Sequence, residues 1–478
     1  MKLENISLTT PYLDLDSIFY HEVHPTPLHN PKLVSYNPDA AQLLGLDTQE
    51  FSTEYITKIL NGTELLNGSR PYAMCYAGYQ FGYFVPRLGD GRALNLGLVN
   101  GWNLQLKGSG QTLYSRQGDG RAVLRSSIRE YLMSEAMHAL GIPTSRVLAL
   151  IGSDEQVARS QWEPGAIVLR LSPSWIRFGS FEYFYHSNKY PQLESLADFL
   201  ITESFPHLSG VEDAYTKMYG EIVKRTAHMI AHWQSVGFNH GVMNTDNMSA
   251  IGLTIDYGPY AFLDTFQVGY VCNHTDQEGR YRYENQPRIG HWNLAQLGHA
   301  LSPLVNEEEM ELELEKYEDY FTDKLLDLYK DKLGLDALPN ENSTLFRSLF
   351  TTLENGRSDM TPFFRTLSHY DGDRIALHAL TLAPNQLNVW LDTYDECLKN
   401  NTSSTQERHE KMLKCNPKYV LKNYILQEAI ELAYKNDFSL VNDLLKLAQS
   451  PYDEHPEFER YAGPTPLKYT NLKLSCSS

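Results

Sequence analysis

The sequence predicts an α+β fold with two lobes and a helical C-terminal extension. Its 478 residues are enough for two lobes and further elements. Strand patterns and glycine-rich loops come first, a long amphipathic helix follows, and the chain after about residue 290 has a mainly helical pattern. We therefore expect an N-terminal lobe over residues 1–165, the catalytic part of a C-terminal lobe over 166–300, and a helical extension and tail over 301–478.

The N-terminal lobe contains one strand and one helix that carry charged residues of interest. "WNLQLK" alternates apolar and polar side chains, which predicts a half-buried strand that ends with Lys107 before Gly108. "AVLRSSIREYLMSEAMHAL" has an apolar residue every four positions, which predicts a helix that carries Glu130. The glycine-rich, basic stretch over residues 70–125 is otherwise typical of loops that approach a ligand closely.

Later segments predict one short strand and several helices. "GAIVLRLS" is a short apolar strand, and residues 213–236 form a long amphipathic helix that Gly237 caps. A polar loop and a hairpin around Gly252 follow. In the extension, "NEEEMELELEKYEDYFTDKLLDLYKDKL" predicts a helix with an acidic start, and "YVLKNYILQEAIELAYKNDFSLVNDLLKLAQ" predicts a helical pair.

Composition excludes several classes of partner. The net charge of −18 repels phosphate backbones, so we expect no nucleic-acid partner. No apolar run reaches the length of a membrane span, and the N-terminus lacks the apolar core of a signal peptide. The five cysteines are scattered without metal-ligand spacing, which fits reduced thiols. We expect a cytoplasmic monomer without a membrane partner.

Four residues match the nucleotide-binding parts of a protein kinase. A kinase needs a strand lysine for phosphate, a helix glutamate that orients the lysine, and an asparagine and an Asp-Phe-Gly aspartate for magnesium. Lys107, Glu130, Asn247 and Asp256, the last in Asp-Tyr-Gly, meet these needs in the right order. Singly they are ordinary: an edge lysine, a surface glutamate, a loop amide and a turn. Together they predict a protein-kinase-like fold.

The loop before Asn247 departs from the kinase pattern. A kinase keeps its catalytic base five residues before this asparagine, and here that residue is Val242, which accepts no proton. The nearby carboxylate is Asp246. A kinase-like phosphotransferase and a non-catalytic nucleotide-binding scaffold stay open as alternatives. Val242 argues against the first, and Asp246 beside intact metal ligands argues against the second.

Basic residues around the glycine-rich region suit phosphate. Gly89-Asp90-Gly91-Arg92 recurs as Gly118-Asp119-Gly120-Arg121, and Arg170 and Arg177 flank "LSPSWI". Surface ion pairs are the ordinary explanation for two such arginines. In a very acidic chain, next to glycine-rich loops, we instead expect bidentate contacts with phosphate.

Four long stretches resemble the selenoprotein O family, also called the YdiU family, of kinase-like protein adenylyltransferases. They are "YAGYQFGYFVPRLGDGRA", "LQLKGSGQTLYSRQGDGRAVLRSSIREYL", "VLRLSPSWIRFGSFEYF" and "HGVMNTDNMSAIGLTIDYGPYAFLD". The resemblance implies ATP bound in a flipped orientation and transfer of AMP to Ser, Thr or Tyr hydroxyls of target proteins, with release of pyrophosphate. It also implies use of UTP, and of Mg²⁺ or Mn²⁺.

The resemblance also implies a role for each site residue. Asp246 would accept the proton, Asn247 and Asp256 would bind the metal, and Glu130 would support the phosphate-binding lysine. The nucleotide would be bound by Gly89, Gly91, Arg92, Lys107, Asp119, Gly120, Arg170, Arg177 and Asp256. Eukaryotic relatives carry a selenocysteine near the C-terminus, where this chain has Cys476. We therefore expect a redox pair of Cys272 and Cys476, with two unrelated reduced thiols as the alternative.

Overall fold

The computed structural model describes residues 1–47, 52–337, 344–469, 472 and 474. Its strands are β1 (Tyr20–Glu22), β2 (Lys32–Tyr36), β3 (Tyr72–Met74), β4 (Gly78–Gln80), β5 (Tyr83–Val85), β6 (Ala93–Val99), β7 (Trp102–Lys107), β8 (Ala122–Val123), β9 (Arg146–Ala158), β10 (Trp162–Ser172), β11 (Phe238–Asn239) and β12 (Ala261–Phe262).

Its helices lie beside the sheet and fill most of the second half of the chain. They are α1 (Pro38–Leu43), α2 (Thr53–Asn61), α3 (Leu124–Ala139), α4 (Phe178–His186), α5 (Tyr190–Ser204), α6 (Ala214–Ser235), α7 (Gln286–Leu301), α8 (Glu307–Glu315), α9 (Tyr317–Leu333), α10 (Thr344–Asn355), α11 (Met360–Leu367), α12 (Ile375–His378), α13 (Pro384–Leu398), α14 (Thr405–Leu413), α15 (Asn423–Ala433) and α16 (Ser439–Gln449). The predicted α+β class is confirmed.

One antiparallel sheet dominates the first 172 residues, with the strand order β1-β3-β6-β7-β10-β9-β2 and β8 paired to β10. Strand β7 lies at its centre, where Lys107 pairs with Ala93 of β6 and Val168 of β10. Leu104 and Leu106 of β7 pack into an apolar cluster with α1 and α2. The alternation along β7 therefore sends Gln105 and Lys107 to the other face, as the period of two predicts.

The sheet differs from expectation in two places. The stretch over residues 70–125, apart from the predicted strand β7, was expected to be loop, but it contains β3, β6 and β8 of the main sheet and a separate two-stranded hairpin of β4 and β5. The apolar strand is also longer than "GAIVLRLS", because β10 begins at Trp162 and pairs with β9 along most of its length. This strand passes through residue 165, where we placed the boundary between the lobes.

The predicted helices α3 and α6 are confirmed, and so is the C-terminal pair, α15 and α16. The acidic stretch forms two helices, α8 and α9, that meet at Lys316. Tyr317 is buried at the start of α9 and its hydroxyl donates to the carbonyl of Pro287 at 2.9 Å, which anchors the second helix separately on α7. Within the described residues, no helix is long and apolar enough to cross a membrane.

Helix α3 lies between the sheet and the end of the chain. It packs on β9 and β10 on one side and on α15 and α16 on the other. Arg129 of α3 donates to Asn423 of α15 at 2.8 Å, and Asn442 of α16 meets the hydroxyl of Ser35 in β2 at 2.9 Å. The C-terminal helices therefore brace the helix that carries Glu130.

Candidate active site

A polar cleft of about 820 Å³ collects nearly all of the predicted site residues. It lies where the glycine-rich loops, the end of β7 and the loop over residues 240–258 meet. The predicted residues that line it are Gly89, Gly91, Arg92, Lys107, Asp119, Gly120, Arg170, Arg177, Asp246, Asn247 and Asp256. A cleft of this volume is large enough for a nucleotide.

Lys107 and Glu130 form the predicted ion pair, with 2.8 Å between Nζ and Oε2. Glu130 lies behind the cleft wall on α3 and is almost fully buried. Its other carboxylate oxygen accepts from Nη1 of Arg170 at 2.8 Å. Burial opposes the charged carboxylate, but Lys107 and Arg170 lower the pKa of Glu130 below its usual value. Glu130 therefore orients two cations, one more than the kinase pattern predicts.

Asp256 joins three cationic side chains. Its carboxylate meets Lys107 at 3.1 Å, Arg170 at 2.6 Å and Arg177 at 2.7 Å. Burial raises the pKa of Asp256, but these cations outweigh burial and hold it well below the usual value. The backbone of Asp256 is left-handed, with φ of 55°, a conformation that aspartate tolerates better than most residues. The carboxylate therefore stays charged at the floor of the cleft.

Arg170 and Arg177 are not surface residues. Both are at least 98% buried, and each guanidinium stacks on an aromatic ring at 4.6 Å, that of Trp175 for Arg170 and that of Tyr76 for Arg177. The Nε atom of each arginine is buried without a hydrogen-bond partner among the described residues. The ordinary explanation of surface ion pairs is therefore wrong for both.

Asp246 offers a carboxylate of unusual proton affinity. Its Oδ2 accepts from the side-chain amide of Gln80 at 3.2 Å, and its Oδ1 is buried with no hydrogen-bond partner in the described part of the chain. Burial raises the pKa of Asp246 to about 6, against the lowering effects of Arg177 and Gln80. A carboxylate in this range can accept a proton near neutral pH. Val242 lines the same cleft, its side chain accepts no proton, and its backbone carbonyl accepts from the side chain of Asn247.

Asn247 and Asp256 fit the ligand set of a divalent cation. The Nδ2 of Asn247 donates to the carbonyl of Val242 at 3.0 Å, which leaves Oδ1 as the coordinating atom. Carboxylate and amide oxygens suit Mg²⁺ or Mn²⁺, and Mg²⁺ commonly takes one or two protein ligands while substrate phosphates supply others. Within the described residues, no cluster of three or more His, Cys, Asp or Glu side chains could hold a metal ion, and Asn247 and Asp256 as metal ligands stay a prediction.

The two glycine-rich loops need their glycines. Gly89 has φ of +80°, and a Cβ there would lie 2.3 Å from the ring of Tyr114. Gly120 has φ of +69°, and a Cβ there would lie 2.1 Å from the carbonyl oxygen of Gly110. Asp119 pairs with Arg159 at 2.7 Å, which holds the second loop against the β9–β10 hairpin. Arg92 is exposed at the cleft.

Two further residues complete the site and were not predicted. Gln105 lies two residues before Lys107 on the same strand face and accepts a hydrogen bond from Arg170. The alternation in "WNLQLK" already put both residues on one face, so this partner could have been found. Gln80 comes from the β4–β5 hairpin, and no sequence pattern connects it to Asp246, 166 positions later.

Only one cysteine of the predicted redox pair, Cys272, lies within the described residues. Cys272 is buried, and its backbone amide donates to Oδ1 of Asn239 at 3.2 Å. Cys476 lies outside the described residues. Leu474, two positions before Cys476, forms a parallel bridge with Asn273, and its carbonyl accepts from the amide of His274 at 2.9 Å. Leu474 therefore lies beside the residues that follow Cys272, and the pairing itself stays a prediction.

Comparison with known proteins agrees with the resemblance seen in the sequence. A family model described as "Protein adenylyltransferase SelO" matches residues 2–449. The chain is 47% identical to "Protein nucleotidyltransferase YdiU" of Myxococcus xanthus, over 100% of this chain and 99% of that protein. It is 45% identical to the proteins of the same name from Aliivibrio fischeri strain ES114 and Thioalkalivibrio sulfidiphilus, over at least 99% of each chain. The chain belongs to the SelO family of protein adenylyltransferases.

Proposed function

We propose that this protein transfers AMP from ATP to Ser, Thr or Tyr hydroxyls of target proteins and releases pyrophosphate. Membership of the SelO family supports the reaction class. The observation that carries the proposal for this chain is Asp246. It is a buried carboxylate with a raised pKa in the cleft that also contains Lys107, Arg170 and Arg177. A cleft that binds phosphate and keeps a base can activate a hydroxyl, although the position of a kinase base is valine.

The same proposal includes a two-lobed, kinase-like architecture. The antiparallel sheet with the Lys107–Glu130 pair would be the N-terminal lobe, and the loop with Asn247 and Asp256 would belong to the C-terminal lobe. We propose residues 1–165 as the N-terminal lobe, 166–300 as the catalytic part of the C-terminal lobe and 301–478 as the helical extension. Strand β10 continues past residue 165, and its last residues would belong to the sheet of the N-terminal lobe. The cleft would then lie between the lobes, where kinases bind ATP.

The cationic side chains suit a bound triphosphate. Lys107, Arg170 and Arg177 are buried, hydrogen-bonded and held by Asp256, so they are positioned before a substrate arrives. Arg170 and Arg177 both line the cleft, where their guanidinium groups would donate to phosphate oxygens. In the flipped orientation that the family resemblance implies, these residues would bind the outer phosphates, and the α-phosphate would face Asp246.

Asp246 would act on the acceptor. The hydroxyl of a Ser, Thr or Tyr donates to the carboxylate, which takes its proton as oxygen attacks the α-phosphorus. The bond between the α-phosphorus and the bridging oxygen breaks, and pyrophosphate leaves with the electron pair. Gln80 donates to Oδ2 and would orient the carboxylate toward the acceptor, whereas Oδ1 is buried against β4. Mg²⁺ or Mn²⁺ on Asn247 and Asp256 would offset negative charge on the phosphates.

Parallel labelling tests the reaction. We would incubate the protein with an acceptor protein and ATP labelled either at the α- or at the γ-phosphate. Nucleotidyl transfer predicts label from the α-position alone. Label from the γ-position alone would mean a phosphotransferase, and no transfer of either label would mean a non-catalytic nucleotide-binding protein. Asp246→Asn is the matched control, because it keeps the shape of the side chain and removes the base.

The nucleotide donor is the second open choice in this proposal. The family resemblance implies that UTP can replace ATP. Competition between labelled ATP and labelled UTP at equal concentrations measures the ratio of the two kcat/KM values directly. An AMP-transferring enzyme predicts a ratio in favour of ATP under Mg²⁺ and under Mn²⁺, and a ratio in favour of UTP would change the assigned product to UMP.

A further inference from the structure

The β4–β5 hairpin contacts the loop that carries Asp246. The amide of Tyr79 donates to Oγ1 of Thr245 at 2.7 Å, and the side chain of Gln80 donates to Asp246 at 3.2 Å. The next amide, that of Phe81, donates to Oδ1 of Asn244 at 3.2 Å. Consecutive hairpin residues therefore fix three consecutive loop residues.

The two faces of the hairpin have different surroundings. Tyr79 and Phe84 pair across the strands, and their rings pack on Trp292 and His186, with centroid distances of 5.4 and 4.0 Å. This face is anchored in the protein. Gln80 lies on the opposite face because side chains alternate along a strand. Its contact with Asp246 shows that this face meets the loop over residues 240–258, the proposed catalytic loop.

Tyr83 shares the face of Gln80. The two residues are directly opposite in the strand register, and side chains of such a pair lie on the same face about 5 Å apart. They flank a turn of Phe81 and Gly82, both with positive φ, which suits a tight two-residue hairpin. Tyr83 is nevertheless 80% exposed, and in the described part of the chain its side chain makes no hydrogen bond or ring contact.

A single exposed aromatic residue is ordinary on a protein surface. Tyr83 differs from such a residue in its position. Its cross-strand partner, Gln80, binds the proposed base, and the opposite face of the hairpin is packed against the protein. Because Gln80 and Phe81 line the cleft, Tyr83 lies next to its rim, where a protein that presents a hydroxyl to Asp246 would approach. Tyrosine suits such a contact because it buries a large area at a small cost in conformational entropy.

We infer that Tyr83 contacts the acceptor protein and favours acceptor segments with an apolar or aromatic residue close to the modified hydroxyl. This inference rests on the proposed nucleotidyl transfer. It also specifies that the acceptor enters the cleft from the side of the β4–β5 hairpin. Tyr83 would be a specificity-determining residue for the acceptor, with no role in binding ATP.

The experiment compares wild type, Tyr83→Ala and Tyr83→Phe with unfolded casein as acceptor and α-labelled ATP as donor. Leu382→Ala is the matched control, since Leu382 is 75% exposed in the helical extension. We expect Tyr83→Ala to raise the KM for casein by about tenfold, in the range of an interface anchor, and to leave the KM for ATP unchanged. Tyr83→Phe and Leu382→Ala should stay close to wild type.

Peptides with a central threonine and either leucine, phenylalanine or aspartate beside it give the second measurement. Wild type should prefer the apolar neighbours, and Tyr83→Ala should lose that preference. An unchanged KM for casein in Tyr83→Ala, an equal change in the KM for ATP, or an equal loss in Tyr83→Phe would overturn the inference. Absence of α-label from every acceptor with the wild type would instead overturn the proposed function, and the inference with it.

Discussion

Asp256 is the residue at which the charges of the cleft meet. Asp256→Ala removes a proposed metal ligand and the anion that joins Lys107, Arg170 and Arg177. We expect nucleotidyl transfer to fall by on the order of 10³-fold, as for the loss of a preorganised electrostatic group. Rates with α-labelled ATP at saturating Mg²⁺ measure the effect, with circular dichroism as the control for folding. Full activity of Asp256→Ala would contradict the metal assignment.

Substitution of Asn247 should reduce nucleotidyl transfer less than substitution of Asp256. Its amide is a neutral ligand whose orientation is set by the carbonyl of Val242. Asn247→Ala is expected to raise the concentration of Mg²⁺ needed for half-maximal activity, and excess Mn²⁺ should restore part of the rate because Mn²⁺ binds oxygen ligands more tightly. Titration of each metal into chelator-treated protein tests this. Identical metal titrations for the variant and wild type would remove Asn247 from the ligand set.

Alanine substitutions at Lys107 and at Glu130 should differ in their effects on activity and on stability. Lys107→Ala removes a phosphate contact and should lose most of the activity. Glu130→Ala should keep more activity, but Glu130 also holds Arg170, so two buried cations lose one carboxylate partner and keep only Asp256. Breaking a buried ion pair from one side typically costs about 3–5 kcal/mol, so Glu130→Ala should also lower the melting temperature. Thermal unfolding beside initial rates tests both, and an unchanged melting temperature in Glu130→Ala would contradict the second contact.

At the level of elements, the approach of β4 to α4 depends on Gly179. A Cβ there would lie 2.1 Å from the carbonyl oxygen of Ala77, whose amide donates to Gly179 at 2.9 Å, and 3.5 Å from Cα of Asp246. Gly179→Ala should push the hairpin from the catalytic loop, with a loss of about 1–3 kcal/mol of folding stability and a lower transfer rate. Urea unfolding and labelling rates measure these losses.

Gly269→Ala is the control for this substitution. Gly269 has no described heavy atom within 4 Å of a built Cβ, so an added methyl group meets open space. The control should unfold at the same urea concentration as wild type and keep its activity. If Gly179→Ala matched Gly269→Ala in both measurements, the close contact between β4, α4 and the catalytic loop would not limit stability or rate.

Periodic elements were predictable from the sequence and short ones were not. The alternation of β7 and the four-residue spacing of α3 placed Lys107 and Glu130 correctly, because both patterns reflect burial of one face. The β4–β5 hairpin escaped prediction because each strand has three residues, too few for a period, and Phe81-Gly82 is not a common hairpin turn sequence. The partners of Asp246 therefore depend on tertiary contacts that no local pattern shows.

Across the whole molecule, C-terminal helices pack against elements of the first 172 residues. Helices α15 and α16 pack on α3, and Tyr434 after α15 donates to Glu163 of β10 at 2.8 Å. Glu163 in turn pairs with Arg125 of α3 at 2.8 Å. The C-terminal helical pair is thus part of the support for the helix that carries Glu130.

Leu474 adds a contact between the C-terminal region and the residues that follow Cys272. Cys272 follows the hairpin of the proposed metal site in sequence, which makes it the expected partner of Cys476, and the bridge of Leu474 to Asn273 joins residues close to the two cysteines in sequence. Under mild oxidation we expect a disulfide that closes a loop of about 200 residues and adds about 5 kcal/mol of stability in the chain-entropy description. It would fix the tail beside the loop that carries Asp246 and make nucleotidyl transfer depend on redox state.

Mass mapping of oxidised protein without reductant tests the pairing. We expect one peptide pair that contains Cys272 and Cys476, and an oxidation-dependent change in transfer rate that Cys476→Ser abolishes. Cys397→Ser is the matched control, because Cys397 lies on α13 in the helical extension and should leave both the peptide pair and the redox response intact. Free alkylation of both Cys272 and Cys476 after oxidation would contradict the pairing and favour two unrelated reduced thiols.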